Sequence, residues 1–226
     1  VRAYTELIAE ELGLDSDACD RLRWAGLLHD VGKINVPAEI LNKPGPLTVE
    51  EWDVMRRHPA DGAVLAAPLV PWLGEWAAAV LDHHERWEGG GYPRAIAGTD
   101  ISLAGRIVAV ADAFDVMTSP RSYKAPCGAG EAKAELVSCA GTQFDANVVR
   151  AFLNISSRRL LSVLGPLSVI PTLPLAQWRV LRVKARVGAP FAVAVAVITV
   201  GSGLLAPPAP PGRHGGTGAA EQTRLG

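Results

Sequence analysis

The chain of 226 residues lacks the features that mark several protein classes. It has three cysteines, Cys19, Cys127 and Cys139, an odd number with no CxxC pair. That excludes a closed disulfide framework and a cysteine-based zinc finger, and suits a reducing compartment. No sign of charge is in excess: 22 Lys+Arg stand against 23 Asp+Glu, a formal net charge of −1. Binding to a DNA or RNA duplex by phosphate neutralisation is therefore not expected. The first residues hold no signal peptide, because Arg2, Glu6, Glu10 and Glu11 interrupt any apolar run. There is no initial Met, which suggests a fragment of a longer protein. Neither an internal repeat nor a run of alternating strands is present before residue 185. What is there is globular: 49% hydrophobic and 20% charged residues exclude a chain disordered throughout. At roughly 150 residues per domain, the length allows one large domain, or one domain with an appendage.

The first two-thirds reads as consecutive helices. Tyr4, Leu7, Ile8 and Leu12 form an apolar stripe at spacings of three and four, ended by Gly13. Asp15 or Ser16 caps a second helix that runs through Leu22, Ala25, Leu27 and Leu28 to His29 and Asp30. Pro37, Pro44, Gly45 and Pro46 make 34–46 a loop with at most one helical turn. Thr48 and Glu51 fit a capping box whose helix should end at His58, before Pro59. Further helices are predicted over about 72–84, 102–118 and 145–161, with a loop at Gly89–Pro93.

The composition shifts near residue 162. A Pro-containing, basic linker over 158–186 carries Arg179, Arg182, Lys184 and Arg186. Val187–Ala206 follows, long and apolar enough to be a candidate membrane span. The basic side before it would face the cytoplasm. Pro190, Gly201 and Gly203 weaken it as a helix, and its Ala/Val alternation also fits a strand. Residues 207–226 read as a disordered tail rich in Pro, Gly and Ala.

Histidine placement carries the strongest chemical signal. His29, His58, His83 and His84 fall in the helical region near predicted helix ends, with Asp30, Asp82 and Glu85 beside or near them. A lone His in a helical domain is usually a capping or part-exposed residue; four with adjacent carboxylates point to metal. Mixed imidazole and carboxylate donors suit Zn, Mn or Fe rather than Ca or Mg alone. Asp112 lies on the apolar helix 102–118, where a buried carboxylate needs a partner. A metal ion and a structural salt bridge both satisfy that need.

These residues match a known pattern. His29-Asp30-Val31-Gly32-Lys33 resembles the HD-x-G-K signature of the HD superfamily of metal-dependent phosphohydrolases. His83-His84-Glu85, followed by Gly90-Gly91-Tyr92-Pro93, resembles the HHE and GYP motifs. Together, over about residues 1–153, the chain is similar to an HD-GYP domain. Leu41–Gly45, His58-Pro59, Arg106–Thr118, Arg121 with Tyr123-Lys124, and Gly141–Asp145 add supporting matches.

The resemblance implies an all-α HD-type bundle of about seven helices over 1–157. It implies metal ligands His29, Asp30, His58, His83, His84 and Asp112, holding two or three divalent ions, iron or manganese, with Asp30 bridging. It implies hydrolysis of cyclic di-GMP to linear pGpG or GMP in a cytoplasmic domain, with Lys33 and Asp30 in catalytic roles. Arg121, Lys124, Tyr92, Gly91 and Lys43 are the implied substrate contacts. Membrane attachment through 187–206 and a homodimer complete the expected associations.

The chain also departs from the family. A further His of the first helix would fall about four residues before Val1. Glu88 stands for an Asp, Pro120 and Ser122 alter the flanks of Arg121, and Ala146 stands for a Pro. Two other readings follow from these departures: a hydrolase acting on another nucleotide, and a non-catalytic module that binds the dinucleotide or a signalling partner.

Overall fold

A computed structural model describes residues 1–119 and 126–164. Among them the secondary structure is helical, with eleven α-helices, four short 3-10 segments and no strand beyond an isolated bridge between Ala140 and Phe144. The expected all-α class is observed, and the helix count exceeds seven because several pieces are single turns. The linker beyond Leu164, the candidate span 187–206 and the tail lie outside the described residues, as do Arg121 and Lys124.

Helix α1 (Arg2–Glu11) buries Tyr4 and Ile8, and α2 (Ser16–Leu28) buries Leu22 and Ala25. The Asp15 carboxylate accepts the Ala18 N–H at 2.8 Å and so fixes the start of α2. A 3-10 turn, Val31–Asn35, and a single turn α3 (Ala38–Leu41) follow. Helix α4 (Val49–Met55) opens on the expected capping box, Thr48 and Glu51 satisfying each other's N–H groups.

The helix from Thr48 ends at Met55, three residues earlier than expected. His58 begins the next helix instead, α5 (His58–Ala66). Pro59 lies in its first turn, where the missing N–H has no intrahelical partner to lose. The helix predicted over 72–84 is broken. Helix α6 (Val70–Leu73) stops at Gly74, whose φ is +60°; a 3-10 segment, Gly74–Ala78, and α7 (Ala79–Asp82) then follow. The run Val49–Asp82 has the length and mean hydropathy of a membrane span. It is divided into these short pieces, and it sends Leu73, Trp76 and Val80 into the protein interior.

Helix α8 (Leu103–Thr118), capped by Ser102, is the central element. Ile107, Val108, Val110, Ala111 and Phe114 are buried along it. Phe114 packs edge-on to Tyr4 with ring centres 5.1 Å apart, and lies 4.6 Å from Phe152. Three helices complete the described part: α9 (Ala129–Ser138), α10 (Ala146–Asn154) and α11 (Ser157–Leu164). The single helix predicted over 145–161 is thus two. Ile155 turns extended and is buried, and the Ser156 hydroxyl accepts the Arg159 N–H at the restart. Helix α11 lies past the expected domain boundary at 157 and adds Leu160 to the core.

Candidate metal centre

Four of the expected ligands, Asp30, His58, His83 and His84, bring donor atoms within 4.8 Å of one another. Each comes from a helix end. His29 follows the last residue of α2, Asp30 precedes the 3-10 turn, His58 starts α5, and His83 caps α7. Helix ends present unpaired backbone carbonyls, and the histidines use them. His29 Nδ1 lies 2.8 Å from the Gly26 carbonyl, His58 Nδ1 2.8 Å from that of Met55, and His83 Nδ1 3.1 Å from those of Ala79 and Val80. With Nδ1 donating, a ring that holds no second proton presents its lone pair at Nε2. This is the arrangement in which outer hydrogen bonds orient metal-ligating imidazoles.

The Nε2 atoms then face one another and Asp30. His58 and His83 Nε2 are 3.4 Å apart. Asp30 Oδ1 lies 3.2 Å from His58 Nε2 and 3.8 Å from His83 Nε2. Asp30 Oδ2 lies 3.3 Å from His29 Nε2, which is also 3.6 Å from Asp112 Oδ1. The donors thus fall into two groups that share one carboxylate: His58 and His83 toward Oδ1, with His84 beside them, and His29, next to Asp112, toward Oδ2. His29 Nε2 and Asp30 Oδ1 are buried with no hydrogen-bond partner. Such orphaned atoms are costly unless a ligand satisfies them. The donor set and these orphans fit divalent metal ions.

The electrostatics follow from this crowding. Burial opposes charge on His29, but the nearby carboxylates of Asp112 and Asp30 outweigh it and lift its pKa to about 9. Burial likewise opposes charge on Asp30, yet His29, His58 and His83 hold it far below the usual carboxylate range. Asp112 is lowered too, its burial overcome by His29. Burial pushes His83 and His84 down, so both are neutral and available as ligands.

Close backbone approach makes the cluster possible. A Cβ on Gly32 would stand 2.0 Å from the His58 carbonyl oxygen and 2.5 Å from the Gly62 nitrogen. Only glycine lets the turn after Asp30 touch the start of α5. Gly91 packs equally closely, 2.6 Å from the His84 carbonyl oxygen and 2.5 Å from the Arg86 nitrogen for an added Cβ. It holds the Gly-rich loop beneath the histidine pair. The Tyr92 N–H donates to the His84 carbonyl at 3.2 Å, and Trp87 and Glu88 N–H groups donate to Gln143 and Thr142 at 3.0 and 2.8 Å. The ring of Tyr92, an expected substrate contact, stacks on His84, centres 4.6 Å apart at 23°.

Two carboxylates beside the histidine pair, Asp82 and Glu85, serve the loop rather than the cluster. Asp82 is buried and accepts from Arg94 at 2.5 Å and from the Ser102 N–H at 3.1 Å. Glu85 accepts the Arg94 and Ile96 N–H groups at 2.6 and 3.2 Å. Their adjacency in sequence pointed to metal because sequence does not give side-chain direction. Lys33 Nζ lies 2.7 Å from Asp30 Oδ2, at the cluster. Lys43 is 2.5 Å from Glu51 on α4, which also caps that helix, and among the described residues no contact ties it to the cluster. The site neighbour that sequence reasoning missed is Arg56, whose guanidinium lies by the Tyr92 ring. Its place two residues before His58 was the available signal.

The helical fold brings together donors suited to divalent metal ions, and comparison with known proteins gives the family. Residues 1–148 match the model of the HD domain, and the chain belongs to that family. It is 44% identical over 149 residues to a cyclic di-GMP phosphodiesterase of Thermotoga maritima, covering 66% of this chain and 40% of that protein. It is 38% identical over 154 residues to a 3'3'-cGAMP-specific phosphodiesterase of Vibrio cholerae, covering 68% of this chain and 30% of that protein. The chain therefore spans well under half the length of these relatives. Among solved structures it resembles a cyclic GMP-AMP phosphodiesterase of V. cholerae, with TM-score 0.52 and 21% identity over 78% of this chain and 48% of that one. An HDG"Y"P protein of Bdellovibrio bacteriovorus gives TM-score 0.54 and 19% identity over 68% of this chain and 51% of that one. These two likenesses concern the fold.

Proposed function

We propose that the chain is the catalytic part of a metal-dependent phosphodiesterase that hydrolyses cyclic di-GMP to linear pGpG or GMP. The observation that carries this reading is the shared carboxylate of Asp30, set between two groups of donors with orphaned buried atoms at the join. His29 and Asp112 would hold one ion and His58, His83 and His84 another, Asp30 serving both. The donor chemistry suits iron or manganese. When bound, such ions supply Lewis acidity toward a phosphodiester oxygen and a water of lowered pKa.

The chain's own residues do the rest. Carbonyls at three helix ends keep the imidazoles aimed before substrate arrives, so little reorganisation is left for the reaction. Lys33, paired with Asp30, is placed to shift toward a phosphate or leaving oxygen and to stabilise its growing charge. Arg121 and Lys124 would bind phosphate, Arg121 with two parallel hydrogen bonds. Gly91 keeps the Tyr92 loop against the histidine pair, forming one wall of the site.

The test is cyclic di-GMP turnover resolved by chromatography, under reducing conditions with Mn(II) or Fe(II). It is run on this chain and on a version extended upstream to include the expected His. Hydrolysis that disappears in Asp30→Ala supports the reading; bound metal with cyclic di-GMP left intact overturns it. The likeness to a 3'3'-cGAMP-specific enzyme favours a second reading, cyclic GMP-AMP as substrate, decided by comparing kcat/KM for the two dinucleotides. Self-association as a homodimer is supported by Trp24 and Trp72, which meet edge to face while each stays close to half exposed. Sedimentation of the protein tests it. Membrane attachment rests on the 187–206 segment and is tested by vesicle flotation.

A further inference from the structure

The cations near the cluster are mostly paired with carboxylates. Lys33 is held by Asp30, Lys43 by Glu51, Arg86 by Glu88 and Arg94 by Asp82. Arg56 differs: among the described residues it has no carboxylate partner. It caps the C-terminus of α4, directly after Met55, the residue whose carbonyl orients His58. Its guanidinium carbon lies 5.8 Å from the centre of the Trp52 ring and 5.9 Å from that of Tyr92. Tyr92 in turn stacks on His84, so a single aromatic ring separates this exposed cation from the metal ligands.

Resting on the phosphodiesterase reading, we propose that Arg56 is a substrate-contact residue that binds a phosphate of the cyclic dinucleotide beside the one held at the metals. Rings engage the face of a guanidinium and leave its N–H edge available. That edge offers a donor fork matched to two phosphate oxygens. The two aromatic neighbours restrict the side chain in advance, which lowers the ordering cost when a ligand binds. A cyclic dinucleotide carries two phosphodiesters, and the one not at the metals needs a counter-charge of its own. Arg56 supplies it on the Tyr92 side of the cluster.

The test compares the wild type with Arg56→Ala and Arg56→Lys, using kcat and KM for cyclic di-GMP and for bis(4-nitrophenyl) phosphate, a probe with a single phosphate. In Arg56→Ala the ratio of kcat/KM for cyclic di-GMP to that for the small diester is expected to fall about ten- to fiftyfold, through KM. Arg56→Lys should recover only part, because an ammonium cannot make the paired contact. A ratio within twofold of wild type overturns the proposal. Guanine O6 and N7 present a similar acceptor pair, so cyclic di-AMP is used as a competitor. Weaker binding of both dinucleotides supports the phosphate contact; weaker binding of cyclic di-GMP alone overturns it in favour of base reading. Wild-type protein that turns over neither diester overturns the parent reading and this one together. Wild-type turnover with an unchanged ratio overturns the Arg56 assignment alone.

Discussion

At the scale of single residues, the centre works by fixing which atom of each ring is free. Three histidines give Nδ1 to backbone carbonyls and turn Nε2 toward Asp30. His29, raised to about 9 by Asp112 and Asp30 against the effect of its burial, holds a proton at neutral pH until a metal displaces it. Metal binding at pH 7.5 should therefore release about one proton from this ring. Calorimetry in buffers of different ionisation enthalpy measures it. Linkage gives the matching stability profile for the metal-free protein. The His29 contribution is complete below its ordinary pKa near 6.5 and is lost as pH rises through about 9. Asp30 and Asp112, both lowered, contribute above the usual carboxylate range and lose that contribution as pH falls below it. Denaturant unfolding in a chelator should show stability falling from pH 6.5 to 9, while metal affinity rises over the same window. Asp30→Ala should cost more than the roughly 10–100-fold in metal affinity typical of outer-shell changes, since it removes a donor from both groups. Metal content after dialysis reads this out.

At the scale of elements, the centre depends on how helix ends meet. Gly32→Ala would drive a methyl into the His58 carbonyl and the backbone of α5. The expected cost is about 3 kcal/mol or more, with loss of metal, because backbone cannot step aside as a side chain does. Chemical unfolding and metal analysis check both parts. Thr48→Ala removes one side of the α4 capping box and should cost about 1 kcal/mol by the same unfolding assay. Asp82→Ala unties Arg94 and leaves the Ser102 N–H without its acceptor, at the start of α8. Because Arg94 is part-exposed, the expected loss is about 2 kcal/mol rather than that of a fully buried pair.

At the scale of the whole molecule, distant stretches of chain are held together at the cluster, which joins α2, α5, α7 and α8. A ligand that binds only this assembled state stabilises it by mass action. At a metal concentration about 100 times Kd, the gain is about 2.7 kcal/mol, or an increase in Tm of about 5–10 °C for a domain of this size. Thermal melts with and without chelator test it; equal Tm values would mean that the donors hold no ion.

Much of this was legible beforehand. The stripe of α1, the apolar helix α8, the Asp15 and Thr48 caps and the Gly89–Pro93 loop are local features, and local physics sets them. Asp30, His58, His83 and His84, named as candidate donors from local motifs, come together in space. What the sequence by itself determined is the residue types, the helical periodicity and the caps. Tertiary structure alone decided side-chain direction and the junctions between helices. Asp82 and Glu85 flank the histidine pair yet face the 94–102 loop, while Asp30 and Asp112, 82 residues apart, face the same ring. His58 opens a helix rather than closing one, because its ring nitrogen takes the carbonyl that ends α4 and Pro59 suits a first turn. Arg56 gained its aromatic neighbours when α4 and the Gly-rich loop came together. Contacts of that kind depend on distance in space, and periodicity along a chain carries no record of them.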